Sequence, residues 1–118
     1  MRVQVVRLGQ IIYFVRIQME YRKERKRAAV SIEGRVQGVG FRPFVYRLAV
    51  ENGLTGFVVN TPEGVYAEVE GPSHKIKEFL DRVKYHPPEH AAVKHMSVSF
   101  LPAKNGKEFR IEKSRASA

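Results

Sequence analysis

The chain contains no cysteine and no tryptophan. The first absence excludes disulfides, thiolate nucleophiles and thiolate metal sites, and it fits a reducing compartment, so a cytoplasmic location is expected. Long apolar runs are missing as well. The most apolar stretch, M-R-V-Q-V-V-R-L-G-Q-I-I-Y-F-V-R-I-Q-M-E at the start, is broken by Arg7, Gln10, Arg16 and Gln18. It reaches neither the ~7 residues of a secretory h-region nor the ~20 of a membrane span. No internal repeat and no low-complexity run is present.

Acidic residues are scarce: 12 Asp and Glu stand against 21 Lys and Arg, for a formal net charge of +9. Such a balance points toward nucleic acid only if it is spread over the folded body. Here residues 1–28 carry Arg2, Arg7, Arg16, Arg22, Lys23, Arg25, Lys26 and Arg27 against Glu20 and Glu24, so +6 of the +9 belongs to a basic N-terminal extension. That extension reads either as an extra strand, because Tyr13, Val15, Ile17 and Met19 alternate with Phe14, Arg16 and Gln18, or as a tail. Stacking of RNA bases on a sheet requires exposed aromatics on central strands, and the run Val65 to Glu70 offers only Tyr66, so nucleic acid is not the expected partner.

What is present suits one soluble domain over residues 29–115. The composition is 43% hydrophobic and 28% charged over 118 residues, enough for a single core without metals or disulfides. Ala29 to Arg35 alternates as a half-buried strand. Pro43 suits the first position of a helix, in which Phe44, Val45, Leu48 and Ala49 recur at helical spacing until Asn52-Gly53. Leu54 to Asn60 and Val65 to Glu70 form a hairpin about Thr61-Pro62-Glu63-Gly64. Ser73 is expected to cap a second helix with the stripe Ile76, Phe79, Leu80 and Val83, ending before Pro87-Pro88. A strand from about Ala91 to Phe100 follows, then the Asn105-Gly106 turn and a short strand with Phe109 and Ile111. The order predicts an α+β fold, the ferredoxin-like β-α-β-β-α-β sandwich, with two helices on one face of a mainly antiparallel sheet and an additional short strand. Glu63, Glu68 and Glu70 read as solvent-side charges.

The segment Gly34 to Arg42, G-R-V-Q-G-V-G-F-R, joins the first strand to the first helix. Unpaired N–H groups of the first turn and the helix dipole make that junction attractive to an anion. Gly38 and Gly40 would let the backbone approach a phosphate and converge its N–H groups as a nest. Arg42 could grip two phosphoryl oxygens with its planar fork, which lysine could not. The pattern is neither a Walker loop nor a dinucleotide fingerprint, since G-x-x-x-x-G-K-[ST] and the third glycine of G-x-G-x-x-G are both absent. Spacing alone leaves plain punctuation open for the glycines, and a turn-initiating role open for Asn60.

With Gly56-Phe57-Val58-Val59-Asn60, Gly64 and Glu70-Gly71-Pro72 added in the same order, the chain resembles the acylphosphatase family over about residues 29–113. The resemblance implies a phosphate cradle made by backbone N–H groups of Val36, Gln37, Gly38, Val39, Gly40 and Phe41. It also implies a catalytic Arg42 on the phosphoryl oxygens, an Asn60 that holds the attacking water, and a small-molecule acyl phosphate as substrate. The family usually has Trp where Phe57 stands. Phe41-Arg42-Pro43-Phe44-Val45-Tyr46-Arg47-Leu48-Ala49, Asn60-Thr61-Pro62-Glu63-Gly64-Val65, Pro87-Pro88 and Phe109-Arg110-Ile111-Glu112-Lys113-Ser114 are similar, more narrowly, to the N-terminal acylphosphatase-like domain of the hydrogenase maturation carbamoyltransferase. This implies an alternative, an accessory domain that handles carbamoyl phosphate beside a hydrogenase maturation partner. No cofactor is expected. No metal is expected either: His86 and His90 are four apart, but Pro87-Pro88 breaks the helix that would align them, and neither His74 nor His95 supplies a suitably spaced third ligand.

Overall fold

The computed structural model of the chain describes residues 24–114. Its elements are β1 (Arg25–Arg35), α1 (Phe41–Glu51), β2 (Thr55–Thr61), β3 (Gly64–Pro72), α2 (Ser73–Tyr85), β4 (Ala92–Leu101) and β5 (Phe109–Ile111). The strands lie in one sheet in the order β4-β1-β3-β2-β5. All neighbours run antiparallel except β2 and β5, which are parallel. This is the ferredoxin-like arrangement that the element order predicts. The expected strand around Tyr13 to Met19 lies outside the described residues.

Period-two alternation divides each strand between two environments. Ala28, Val30 and Ile32 of β1 pair with Val69, Ala67 and Val65 of β3, and Val58 of β2 faces Ala67. All of these are buried against the helices, together with Val45 and Leu48 of α1 and Ile76, Phe79 and Val83 of α2. Burial of one such aliphatic or aromatic side chain contributes about 1.5–3 kcal/mol. Both helices therefore form for the same reason: an apolar stripe at helical spacing meets an apolar sheet face.

Four sequence expectations are corrected. The first strand begins at Arg25 rather than Ala29, so a boundary between 28 and 29 falls inside it. Register with β3 reaches as far as Arg25 and Pro72, and Ala28 is part of the core. Helix α1 begins at Phe41, which places Pro43 third rather than first. That position is tolerated because the first four N–H groups have no intrahelical acceptor. Ser73 is the first residue of α2, not its cap. Strand β3 runs directly into the helix there, and the Ser73 N–H donates to the Glu24 carbonyl at 2.9 Å.

The fourth correction concerns Glu68 and Glu70, which are buried rather than solvent-side. Arg27, also buried, donates to Glu68 at 2.7 Å and to Glu70 at 3.2 Å. Tyr66 donates to Glu68, while Arg25 and the backbone N–H groups of Lys104 and Asn105 donate to Glu70. Burial by itself would raise both carboxyls; the hydrogen bonds, with the charges of Arg27 and Lys104 on Glu68, outweigh it and hold both below the ordinary value.

The last two bonds to Glu70 solve a topological problem. Strands β4 and β5 sit at opposite edges of the sheet, so the connection over residues 102–108 must cross about 19 Å of sheet width. Its fully extended reach is at most about 25 Å. Midway, the Lys104 and Asn105 N–H groups are held by Glu70 at 2.7 and 2.8 Å. The chain then arrives beside β2, where the Gly56 N–H donates to the Glu108 carbonyl.

Candidate active site

The loop from Val36 to Gly40 leaves the end of β1 and enters α1. Val36 and Phe41 are buried and anchor its two ends, while Gln37, Gly38 and Gly40 are exposed and Val39 packs half-buried against the core. Gly38 and Gly40 have φ of 73° and 74°, the left-handed region that disfavours other residues by about 1–2 kcal/mol. A Cβ on either would meet no protein atom within 4 Å. Glycine is thus needed here for its backbone angle and for an unobstructed approach, not for packing.

Gly40 is the N-cap of α1 and supplies no side-chain bond, although its carbonyl accepts from the Phe44 N–H at 3.2 Å. No acidic side chain occupies the first turn. The orphan N–H groups and the positive end of the helix dipole are therefore not neutralised from within that turn. Positive-φ residues alternating along such a loop direct successive N–H groups to one side, the arrangement that binds an anion.

Arg42 extends from this first turn toward the sheet edge and is half-buried. Its Nη1 donates to the Glu112 carbonyl at 3.3 Å, and the Glu112 N–H in turn donates to the Val58 carbonyl at 2.8 Å. The guanidinium is thus tied to the chain just beyond β5, alongside β2. Asn60 belongs to that same strand, in register with Val65 and on the helix-packed face shared with Val58. Its Oδ1 is buried and has no hydrogen-bond partner among the described residues. A buried carbonyl oxygen without a partner typically costs about 1–3 kcal/mol unless a ligand or water satisfies it, so this atom is a candidate acceptor for a guest.

The side chain of Gln37 was not legible as a contributor. Its Nε2 donates to the Thr61 carbonyl at 2.6 Å and to the Gly64 carbonyl at 2.7 Å. Because both partners are acceptors, only the NH₂ end of the carboxamide satisfies them. The bonds fasten the loop to the β2–β3 turn, directly after Asn60. Loop, Arg42 and Asn60 are thereby drawn to one end of the sheet, connected through residues far apart in sequence.

Cavity size does not mark this place. A concavity of about 490 Å³ lies over the helix-free face around Ser31, Tyr66, His95 and Ser97, whereas that beside Val36, Gln37 and Pro62 is about 320 Å³. A phosphoryl group, the ligand that the sequence resemblance implies, is small and needs N–H donors more than apolar walls, so volume is a poor guide to this place. Among the described residues no group of three or more His, Cys, Asp or Glu could hold a metal ion. No helix among them is long and apolar enough to cross a membrane. Tyr66, the one aromatic the sequence offered for base stacking, has its ring 5.9 Å from that of Phe57 and its hydroxyl bonded to Glu68.

Residues 28–111 match the family model described as Acylphosphatase. An acylphosphatase from Moorella thermoacetica is 44% identical over 89 residues, covering 75% of this chain and 95% of that protein. The carbamoyltransferase HypF of Synechocystis sp. is 38% identical over 89 residues, covering 75% of this chain but only 12% of the relative. Full-length HypF in its phosphate- and nucleotide-bound crystal form superimposes with a TM-score of 0.77 at 36% identity, covering 80% of this chain and 12% of that structure.

Proposed function

The chain belongs to the acylphosphatase family, and from that premise we propose that it hydrolyses the carboxyl–phosphate bond of acyl phosphates at the loop 36–41, with Arg42 and Asn60 as the catalytic side chains. The observation that carries this reading is the convergence at one end of the sheet. A left-handed glycine loop at a helix N-terminus, an arginine tied to the residue that follows β5 beside β2, and a buried amide oxygen on β2 without a partner among the described residues support it.

The chemistry suits so sparse a site. Phosphoryl transfer asks for positioning and for stabilisation of charge on the phosphoryl oxygens. Backbone N–H groups of Val36, Gln37, Gly38, Val39, Gly40 and Phe41 would cradle those oxygens, and Arg42 would meet the charge as it develops. The Asn60 carboxamide would orient a water in line with the leaving group. As the new P–O bond forms, the bond from phosphorus to the acyl oxygen breaks and its electrons leave on the carboxylate. The conjugate acid of that leaving group has a pKa near ~4, so no general acid is required. Asn60 takes up no proton; a phosphoryl oxygen of the substrate accepts the one that the water loses.

Leaving-group selectivity tests this directly. Acetyl and benzoyl phosphate should be turned over, whereas an alkyl phosphate monoester, whose alkoxide would need an acid, should not be cleaved above its uncatalysed rate. Equal cleavage of both would point to a general acid that this site does not supply and would sink the reading.

A second reading is favoured by the carbamoyltransferase relatives, of which this chain spans about 12%. In that reading the domain takes carbamoyl phosphate on behalf of a hydrogenase maturation partner. It predicts that carbamoyl phosphate is preferred over acetyl phosphate by kcat/KM, while a simple acylphosphatase shows no such preference.

A further inference from the structure

We propose that the side chain of Gln37 is a positioning residue, setting the phosphate loop in register with Asn60 through its two hydrogen bonds to the β2–β3 turn. The inference rests on the reading of the site given above, in which the loop binds the phosphoryl group and Asn60 the water.

Two bodies must be aligned for in-line attack. One is the loop, whose backbone at Gly38 and Gly40 has left-handed φ and no protein atom near the position of a Cβ; between its buried ends, half-buried Val39 packs against the core, and the Gln37 side chain bonds it to the β2–β3 turn. The other is the strand end that bears Asn60. Gln37 Nε2 bridges them, at 2.6 Å to the Thr61 carbonyl and 2.7 Å to the Gly64 carbonyl. Thr61 and Gly64 are the last register pair of the β2–β3 ladder. The clasp therefore closes on the residue after Asn60 and grips both strands of the turn at once. Gln37 sits among the cradle residues, so its backbone faces the phosphate while its side chain fixes the frame. An asparagine, one methylene shorter, would not span to both carbonyls. A methionine keeps the length and removes both donors.

The effect expected from such a role is on turnover rather than on capture. A shift of about 1 Å between bound phosphate and water costs on the order of 10²-fold in rate, whereas the cradle N–H groups remain in place. Gln37→Met should lower kcat for acetyl phosphate by about 10–100-fold and change the inhibition constant of inorganic phosphate by less than ~3-fold. Because Gln37 is exposed and only its bond to Gly64 is partly buried, Tm should fall by no more than about 8 °C. Gln37→Asn should fall between the parent and Gln37→Met.

A double-mutant cycle with Asn60→Ala separates positioning from mere structural support. If Gln37 acts through Asn60, adding Gln37→Met to Asn60→Ala costs little further rate. An equal factor in both backgrounds, or a kcat change below ~3-fold in the single variant, overturns the proposal while leaving the roles of Arg42 and Asn60 intact. If the parent binds phosphate without turnover, NMR decides. Phosphate should perturb the Gly38 and Gly40 amides and the Asn60 side-chain amide in the parent, but only the first two in Gln37→Met. A response at Asn60 retained in the variant overturns the proposal. A parent that neither cleaves acyl phosphates nor binds phosphate removes the site reading, and the positioning role falls with it.

Discussion

At the scale of single residues, the proposed chemistry asks for the shape of Arg42 as well as its charge. Its Nη1 is already committed to the Glu112 carbonyl, which leaves the remaining donors of the planar fork for phosphoryl oxygens. Arg42→Lys keeps a cation but loses the fork, so kcat/KM should fall nearly as far as in Arg42→Ala, about 10²–10³-fold. Steady-state kinetics with acetyl phosphate read this difference. Gly40→Ala tests the backbone. Forcing a Cβ into φ of 74° should lower stability by about 1–2 kcal/mol and weaken inhibition by phosphate, seen by thermal unfolding and by competition. The left-handed backbone of Gly38 and Gly40 was legible locally, from glycine type between a strand and a helix, whereas the proposed role of Asn60 came from the resemblance, because its own sequence reads equally as the start of a turn. The bonds of Gln37 were not legible, because its acceptors are 24 and 27 residues away and nothing in a loop glutamine tells where its carboxamide points.

At the scale of elements, β5 matters more than its three residues suggest. Immediately after it, Glu112 bonds both Val58 and Arg42, and the connection that delivers it is pinned in mid-crossing by Glu70. Glu70→Gln should therefore destabilise the fold by about 3–5 kcal/mol at pH 7, the usual cost of breaking a buried charge network from one side. The pH dependence has a definite sign. Both Glu68 and Glu70 are held below their ordinary value of 4.5, so their contribution is complete above about pH 4.5 and is lost as pH falls through the lower, folded-state values. Denaturant unfolding of parent and variant should show a gap at pH 7 that closes in acid. A gap that widened in acid would mean that the carboxylates are not stabilised by their neighbours. The strands themselves were legible, since Val65, Ala67 and Val69 alternate. The burial of Glu68 and Glu70 was not: it follows from Arg27 lying across the β1–β3 ladder and from the crossing loop, and both are contacts between elements.

At the scale of the whole molecule, one sheet face packs against the two helices to form the core, and the loop 36–40, Arg42 and Asn60 lie toward one end of that layer. Rigidity at the site comes from this frame, so a cavity far from it acts through stability alone. Phe79→Ala, in the fully buried stripe of α2, should cost about 3–5 kcal/mol. In the fraction that remains folded, KM for acetyl phosphate should be unchanged, a combination checked by measuring unfolding and kinetics on the same preparation. The order of elements and the layer they form were legible from periodicity, because a continuous apolar face has few ways to be buried.

Hydrolysis of acetyl phosphate by the full chain, beside Arg42→Ala and Asn60→Ala and in excess chelator, tests the central claim most directly. Catalysis by the cradle, Arg42 and an oriented water predicts turnover that survives chelation in the parent and falls by about 10²-fold or more in each variant. Full activity in a folded Arg42→Ala or Asn60→Ala protein, or a folded parent without turnover, would contradict it.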